Sequence, residues 1–266
     1  MILTGLALLI VALIGGLALE ILGDRAMNNL SIILAFGGAF IMGLIFLHLV
    51  PEAFSYSSIA GTFVLIGFLV QILLEYLSKG LEHGHVHLND SSSNHLASTV
   101  MPWAAIVSLC VHALLESLPL AEGPSAVDVG HQVRSMGSLH VHIHTDTAIG
   151  SALFMGLALH KLPVAIVLMG LIKSTGATKM SRWCLLTLFG IMPVLGMYLY
   201  DTIIHSGVSI PGGVSAFMSA THGLVIGILL HVSTTVIFES GEGHAFNYKK
   251  LIATLLGLSI AYVTFV

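Results

Sequence analysis

Apolar residues in this chain fall in long unbroken runs; they do not alternate along strands or recur on one face of short helices. A helix rises about 1.5 Å per residue, so about 20 apolar residues cross a hydrocarbon core about 30 Å thick. Stretches 2–22, 30–54, 59–78, 99–122, 148–172, 183–204, 213–237 and 248–266 meet that length. They predict an all-α polytopic membrane protein: an eight-transmembrane-helix bundle in which residues 1–266 form a single transmembrane domain. Most connections are short. The two long ones, 79–98 and 123–147, are rich in histidine. The first run has neither a basic segment before it nor a small-residue cleavage site after it, so it reads as a span and not as a signal peptide.

Composition agrees with a bilayer. Hydrophobic residues make up 56% of the 266, and Asp, Glu, Lys and Arg only 8%, against roughly 25% charged residues in a typical soluble domain. A formal net charge of -4 provides no basic face for a nucleic acid. With the N-terminus outside, Arg25, Lys79, Lys173, Lys179, Arg182, Lys249 and Lys250 all fall on the cytoplasmic side. Arg134 alone is then external, and Lys161 lies within a span. That bias places both termini outside, with loop 79–98 cytoplasmic and loop 123–147 external. The expected location is the cell membrane, the inner one if the source is bacterial.

Fifteen histidines outnumber the nine Lys and Arg combined. Imidazole is the commonest protein metal ligand, so this excess in a charge-poor chain points to metal handling. Cys110 and Cys184 lack CxxC spacing and read as small buried apolar residues. The eleven methionines form no regular ladder, which argues against a copper pathway.

Ionisable groups deep in a span are costly, which makes each one a candidate functional residue. His112 and Glu116 in the fourth span are four residues apart, on one helical face. The fifth span adds His160 and, beside it, Lys161. Two imidazoles and one carboxylate make a first-row metal site that leaves positions open for water; the competing reading is polar residues satisfying one another between helices. Pro119 and Pro163 each follow a candidate ligand by three residues. A helical proline leaves the carbonyl four residues earlier without a partner, here Leu115 and Leu159, and so loosens the helix beside the site.

These motifs resemble those of the ZIP (Zrt/Irt-like) family of metal transporters. His112-Ala113-Leu114-Leu115-Glu116-Ser117 is similar to the family's fourth-helix His-Asn-x-x-Asp/Glu-Gly, and His160-Lys161-Leu162-Pro163 to its fifth-helix His-Glu/Lys-x-Pro. His48-Leu49-Val50-Pro51-Glu52 resembles its second-helix His-x-x-Pro-Glu. The resemblance implies movement of a divalent metal toward the cytosol: Zn²⁺ first, with Fe²⁺, Mn²⁺ and Cd²⁺ as further cargoes. Four departures remove ligands for a second metal that many members hold: Ala113, Lys161, Val164 and Met192. The expectation is therefore one metal at His112, Glu116 and His160, with the Lys161 ammonium in the second position. Ser117 and Ser108 are candidates to complete the site.

The topology puts His48 and Glu52 at the external mouth. His231, Glu239, Glu242 and His244 lie toward the cytosol, as an exit relay. Spans 2 and 7 close on Glu52 and Glu239 at opposite membrane sides, a hint of inverted repeats. His222 has nothing acidic one turn away and reads as a packed helix histidine. His83, His85, His87 and His95 in one loop, and His131, His140, His142 and His144 in the other, suit low-affinity metal collection. Expected partners are a divalent metal ion and the lipid bilayer, with a homodimer as one option. The rival class is an intramembrane zinc hydrolase, which would need a general base besides the metal ligands; no HExxH occurs. The absence of a GxxxxGK[ST] loop argues against direct ATP drive.

Overall fold

The structure, a computed structural model, describes residues 1–23, 25, 30–78, 101–121, 152–206, 209–239 and 248–265. Among them the regular elements are all helical: α1 (Ile2–Leu22), α2 (Leu30–Tyr56), α3 (Ala60–Ser78), α4 (Trp103–Leu115), α5 (Ala152–Ser174), α6 (Lys179–His205), α7 (Gly213–Glu239) and α8 (Tyr248–Phe265). Seven of these are long and apolar enough to cross a membrane. The architecture is that of a polytopic helical membrane protein. The His-rich segments lie outside the described residues. So do Glu242 and His244, and the side chain of Glu239.

The fourth predicted span is shorter than the sequence suggests. α4 has 13 residues and stops at Leu115, and a 3-10 turn over Leu118–Ala121 carries the chain on. Pro119 has no N–H to continue the helical ladder, so the helix closes just before it. Pro163 acts differently. α5 runs through it unbroken, and the Leu159 carbonyl, whose helical partner Pro163 removes, faces α2 at Gly37, where an added Cβ would stand 3.8 Å from it. In α2 the corresponding disturbance is a π-helical segment, Ile45–Leu49, just ahead of Pro51. The missing Pro51 N–H and a Val50 N–H bonded to the Ile45 carbonyl widen the turn that carries His48.

Burial is inverted relative to a water-soluble bundle. On α1, Leu3, Leu6, Ile10, Ile14, Leu17 and Ile21 are exposed, whereas Ala12, Gly15 and Gly16 are buried. Large apolar residues outward and small ones inward is the pattern of helices that meet lipid outside and a close neighbour inside. Cys110 is buried as expected. Cys184 is not: it is exposed on the outward face of α6, where an apolar thiol suits lipid as well as a core.

Small residues decide which helices pair. Cβ atoms added at Gly67 of α3, or at Gly223 and Gly227 of α7, would run into backbone carbonyls of the opposing helix. On α8, Ala253, Gly257 and Ala261 are buried at four-residue spacing, and Gly257 meets the Phe36 carbonyl of α2. α3 on α7, α2 on α8 and α2 on α7 are the most extensive contacts, followed by α1 on α5, α1 on α6 and α4 on α6. That set maps onto itself when helices 1, 2, 3 and 4 exchange with 6, 7, 8 and 5. It also sorts the helices into two groups, α1/α4/α5/α6 and α2/α3/α7/α8. The groups meet chiefly where α2 packs on α5 and where α3 packs on α4. At the ends of α1 and α6, Arg182 pairs with Glu20 at 3.1 Å.

A turn with Gly176 at φ 75°, followed by Thr178, whose hydroxyl accepts from the Ser181 N–H, sets α6 directly after α5. A positive φ is the conformation glycine adopts without steric cost, so the chain reverses in a few residues and keeps α5 and α6 together beside the polar cluster.

Candidate metal centre

His112 and Glu116 come together as their spacing requires. α4 holds them one turn apart, and His112 Nε2 stands 3.1 Å from Glu116 Oε2. His160 joins them from α5, its ring centroid 5.7 Å from that of His112 in an edge-on arrangement. One ligand atom from each of the three lies within 4.8 Å of the others. Among the described residues this is the one group of three His, Cys, Asp or Glu so closely gathered. All three are buried: His112 is 1%, Glu116 2% and His160 5% exposed. Ligand atoms about 2.0–2.2 Å from a shared zinc stand about 3.3–3.6 Å apart, so small side-chain adjustments would accommodate an ion.

Lys161, also fully buried, directs its ammonium at the other carboxylate oxygen, with Nζ 3.6 Å from Glu116 Oε1. The same Nζ stands 4.2 Å from the ring centroid of Phe189 on α6, whose π-face attracts a cation. Glu116 is thus shared. One oxygen faces the imidazoles and the other a fixed positive charge.

His112 also contacts a residue that the sequence reading did not single out. Gln71 on α3 places Oε1 2.9 Å from His112 Nδ1, and it is buried. An amide oxygen only accepts, so Nδ1 carries the proton and Nε2 turns its lone pair toward Glu116 and His160. A partner on the far nitrogen is the usual way to orient a metal-binding imidazole. Nothing local in the sequence marks Gln71; the one clue was an uncharged polar side chain in the middle of an apolar span.

The serines lie elsewhere. Ser108 donates to the Leu74 carbonyl of α3 at 2.6 Å and ties α4 to that helix. Ser117 donates to the Leu114 carbonyl at 2.8 Å and packs against Gly196 of α6. The hydroxyls therefore secure the helix around the cluster.

The remaining candidates among the described side chains fall in two further polar groups. His231 of α7 is hydrogen-bonded to Glu75 of α3, with the Phe68 ring edge-on at 4.9 Å. Glu75 follows Gln71 by one turn, so α3 lines up Gln71 and Glu75 between the buried cluster and His231. His48 and Glu52 are neighbours across one turn of α2, with Nε2 to Oε2 3.7 Å. His222 does face an acid, though not on its own helix: Glu52 Oε1 lies 3.9 Å from its Nε2. Along α7 alone His222 is a packing residue; its acidic partner comes from α2.

No protein-family model matches this chain, and no curated protein matches it either. Its reading rests on the fold and on these side chains. They define a helical membrane protein with a buried His–Glu–His group suited to a metal ion.

Proposed function

We propose that this chain is a transporter of the ZIP type, carrying Zn²⁺ toward the cytosol through a single-metal site at His112, Glu116 and His160. The observation that carries this reading is the buried group of two imidazoles and one carboxylate between α4 and α5, inside a bundle whose outer surface is apolar. A purely structural zinc is usually closed by four protein ligands, whereas three leave a position open. An ion that is passed along needs that position for exchange with water.

Charge supports one metal. In the empty site Lys161 neutralises Glu116, and its ammonium stands where a second cation would have to go. Ala113, Val164 and Met192 offer no ligands for that second ion. The same neutralisation lowers the cost of an empty buried carboxylate, which a carrier must tolerate on each return.

The packing supports alternating access. The ligands, Lys161 and Phe189 all belong to the α1/α4/α5/α6 group, and α2/α3/α7/α8 forms the opposing wall. The contact pattern's self-exchange is what two structural repeats of opposite orientation would give. Between the groups, Gln71 to His112 and Ser108 to the Leu74 carbonyl are polar contacts that a relative movement would make and break. Glu52 and His48 then serve the external mouth, and Glu75 with His231 the cytosolic route.

The test is zinc uptake into proteoliposomes loaded with a zinc-sensitive dye. Wild type should give a signal that His112→Ala and Glu116→Gln abolish while remaining folded. If wild type moves neither Zn²⁺ nor Fe²⁺ nor Mn²⁺, the transport reading fails.

A further inference from the structure

Glu75 of α3 and His231 of α7 form an ionisable pair inside the spans, separate from the buried metal group. His231 Nε2 donates to Glu75 Oε2. A carboxylate only accepts, so a proton stands between the two groups. The Glu75 side chain is 21% and that of His231 14% exposed, sheltered from bulk water yet within its reach. The pair is not needed to join its helices. α3 and α7 already meet where Gly67, Gly223 and Gly227 bring backbone against backbone. Carboxylate and imidazole groups that a span carries at such a cost are the usual makings of a proton relay.

The pair has two protonation states. As imidazolium and carboxylate it is neutral overall; with one proton fewer it carries a net negative charge. Imidazole is the side chain that changes charge near neutral pH, and a sheltered site favours the neutral state.

α3 links the pair to the metal group. Gln71 lies one turn before Glu75 on the same face, and its Oε1 accepts from His112 Nδ1 at 2.9 Å. Other titratable groups on the surrounding helices lie elsewhere. His48, Glu52 and Tyr56 of α2 gather with His222, more than two turns along α7 from His231. Tyr76 of α3 is exposed on the outer surface, and Cys110 of α4 lies toward Lys161. His112 and Glu116 are therefore the titratable groups that α3 brings toward the pair, through Gln71. Zinc bound there puts two positive charges on one side of Gln71, with the imidazolium on the other. The charges repel, so a filled metal group drives a proton off the pair and an empty one lets it return.

We propose that Glu75 and His231 form the proton site of a zinc–proton exchanger. The pair gives up one proton to water when zinc occupies the buried group and takes one back when zinc leaves. Linkage makes the effect reciprocal: protonation of the pair weakens zinc binding by the factor by which zinc weakens proton binding. Exchange across the membrane rests on the transport reading; proton release on zinc binding does not.

The experiment follows zinc and protons in parallel proteoliposomes, one set loaded with a zinc-sensitive dye and the other with a pH-sensitive dye. Potassium and valinomycin clamp the membrane potential. Zinc entering wild-type vesicles should raise the lumen pH as protons leave. Glu75→Gln and His231→Gln should each abolish that rise per zinc taken up, and Glu75→Asp, which keeps the carboxylate, should retain it. Wild-type zinc uptake without a rise in lumen pH overturns the proton site and leaves transport standing, and it requires no variant to fold. An undiminished rise per zinc in both Gln variants overturns it as well. Where zinc does not enter, in a variant or (sinking the transport reading) in wild type, proton release in detergent decides. Zinc added to weakly buffered wild-type protein should release more protons per bound zinc than to either Gln variant. The His-rich loops are the same in each and cancel. That difference should vanish on a His112→Ala background; equal release by wild type and both Gln variants overturns the proposal.

Discussion

Replacing Lys161 with methionine tests whether the ammonium stands in for a second metal. Met keeps most of the apolar stem against Phe189 and removes the charge. At 3.6 Å from Glu116 Oε1, two unit charges at an effective dielectric of about 20 attract by about 4–5 kcal/mol. Deleting one partner of a buried pair costs about 3–5 kcal/mol in measured cases. Both figures describe the empty site, where Glu116 loses its counter-charge. With zinc bound the ion supplies that charge, so the deficit shrinks and the difference appears as tighter binding. Each 1.4 kcal/mol is a factor of about ten, so recovery of even half the deficit gives more than tenfold higher apparent zinc affinity. The assay is thermal unfolding of the detergent-solubilised chain in chelator and across a zinc titration. Lys161→Met should unfold at a lower temperature than wild type in chelator and gain more from zinc. Equal midpoints in chelator and an equal zinc response would refute the charge argument. A loss of the same size with and without zinc would refute it too, assigning Lys161 to packing alone.

Gln71→Leu removes the acceptor that orients His112 and should weaken zinc binding about 10–100-fold, as such outer-shell changes typically do; a competition titration against a chelator of known affinity checks this. Glu75→Gln should slow uptake in proteoliposomes while leaving zinc binding at the buried group within a few-fold of wild type, separating the route from the site. Gly227→Ala would drive a Cβ into the Val64 carbonyl of α3. Overpacking there should cost about 1–3 kcal/mol, seen as a lower unfolding midpoint whose rise with zinc is unchanged.

The local parts of this protein were legible in its sequence. Run length and apolarity fixed seven long helices, since a span must satisfy its own backbone hydrogen bonds in lipid. The four-residue spacing of His112 and Glu116 placed both on one face, because helical geometry leaves no alternative. α4 escaped that logic in one respect. Its apolar run was long enough to span, and where the helix stops depended on Pro119, which ends a helix here although Pro163 in α5 does not.

What the tertiary structure decided is which helices touch. Gln71 reaches His112, Glu75 reaches His231, and Glu52 reaches His222 only because α3 lies on both α4 and α7, and α2 on α7. Hydropathy cannot rank such pairings, since the outer surface of every helix is apolar. They are set by where glycine and alanine let two backbones approach, at Gly67 against Leu224 or Gly257 against Phe36. The buried His–Glu–His group needed one such decision, the meeting of His160 on α5 with His112 on α4. The polar groups around it needed several, and for that reason a run of residues along any single helix could not reveal them.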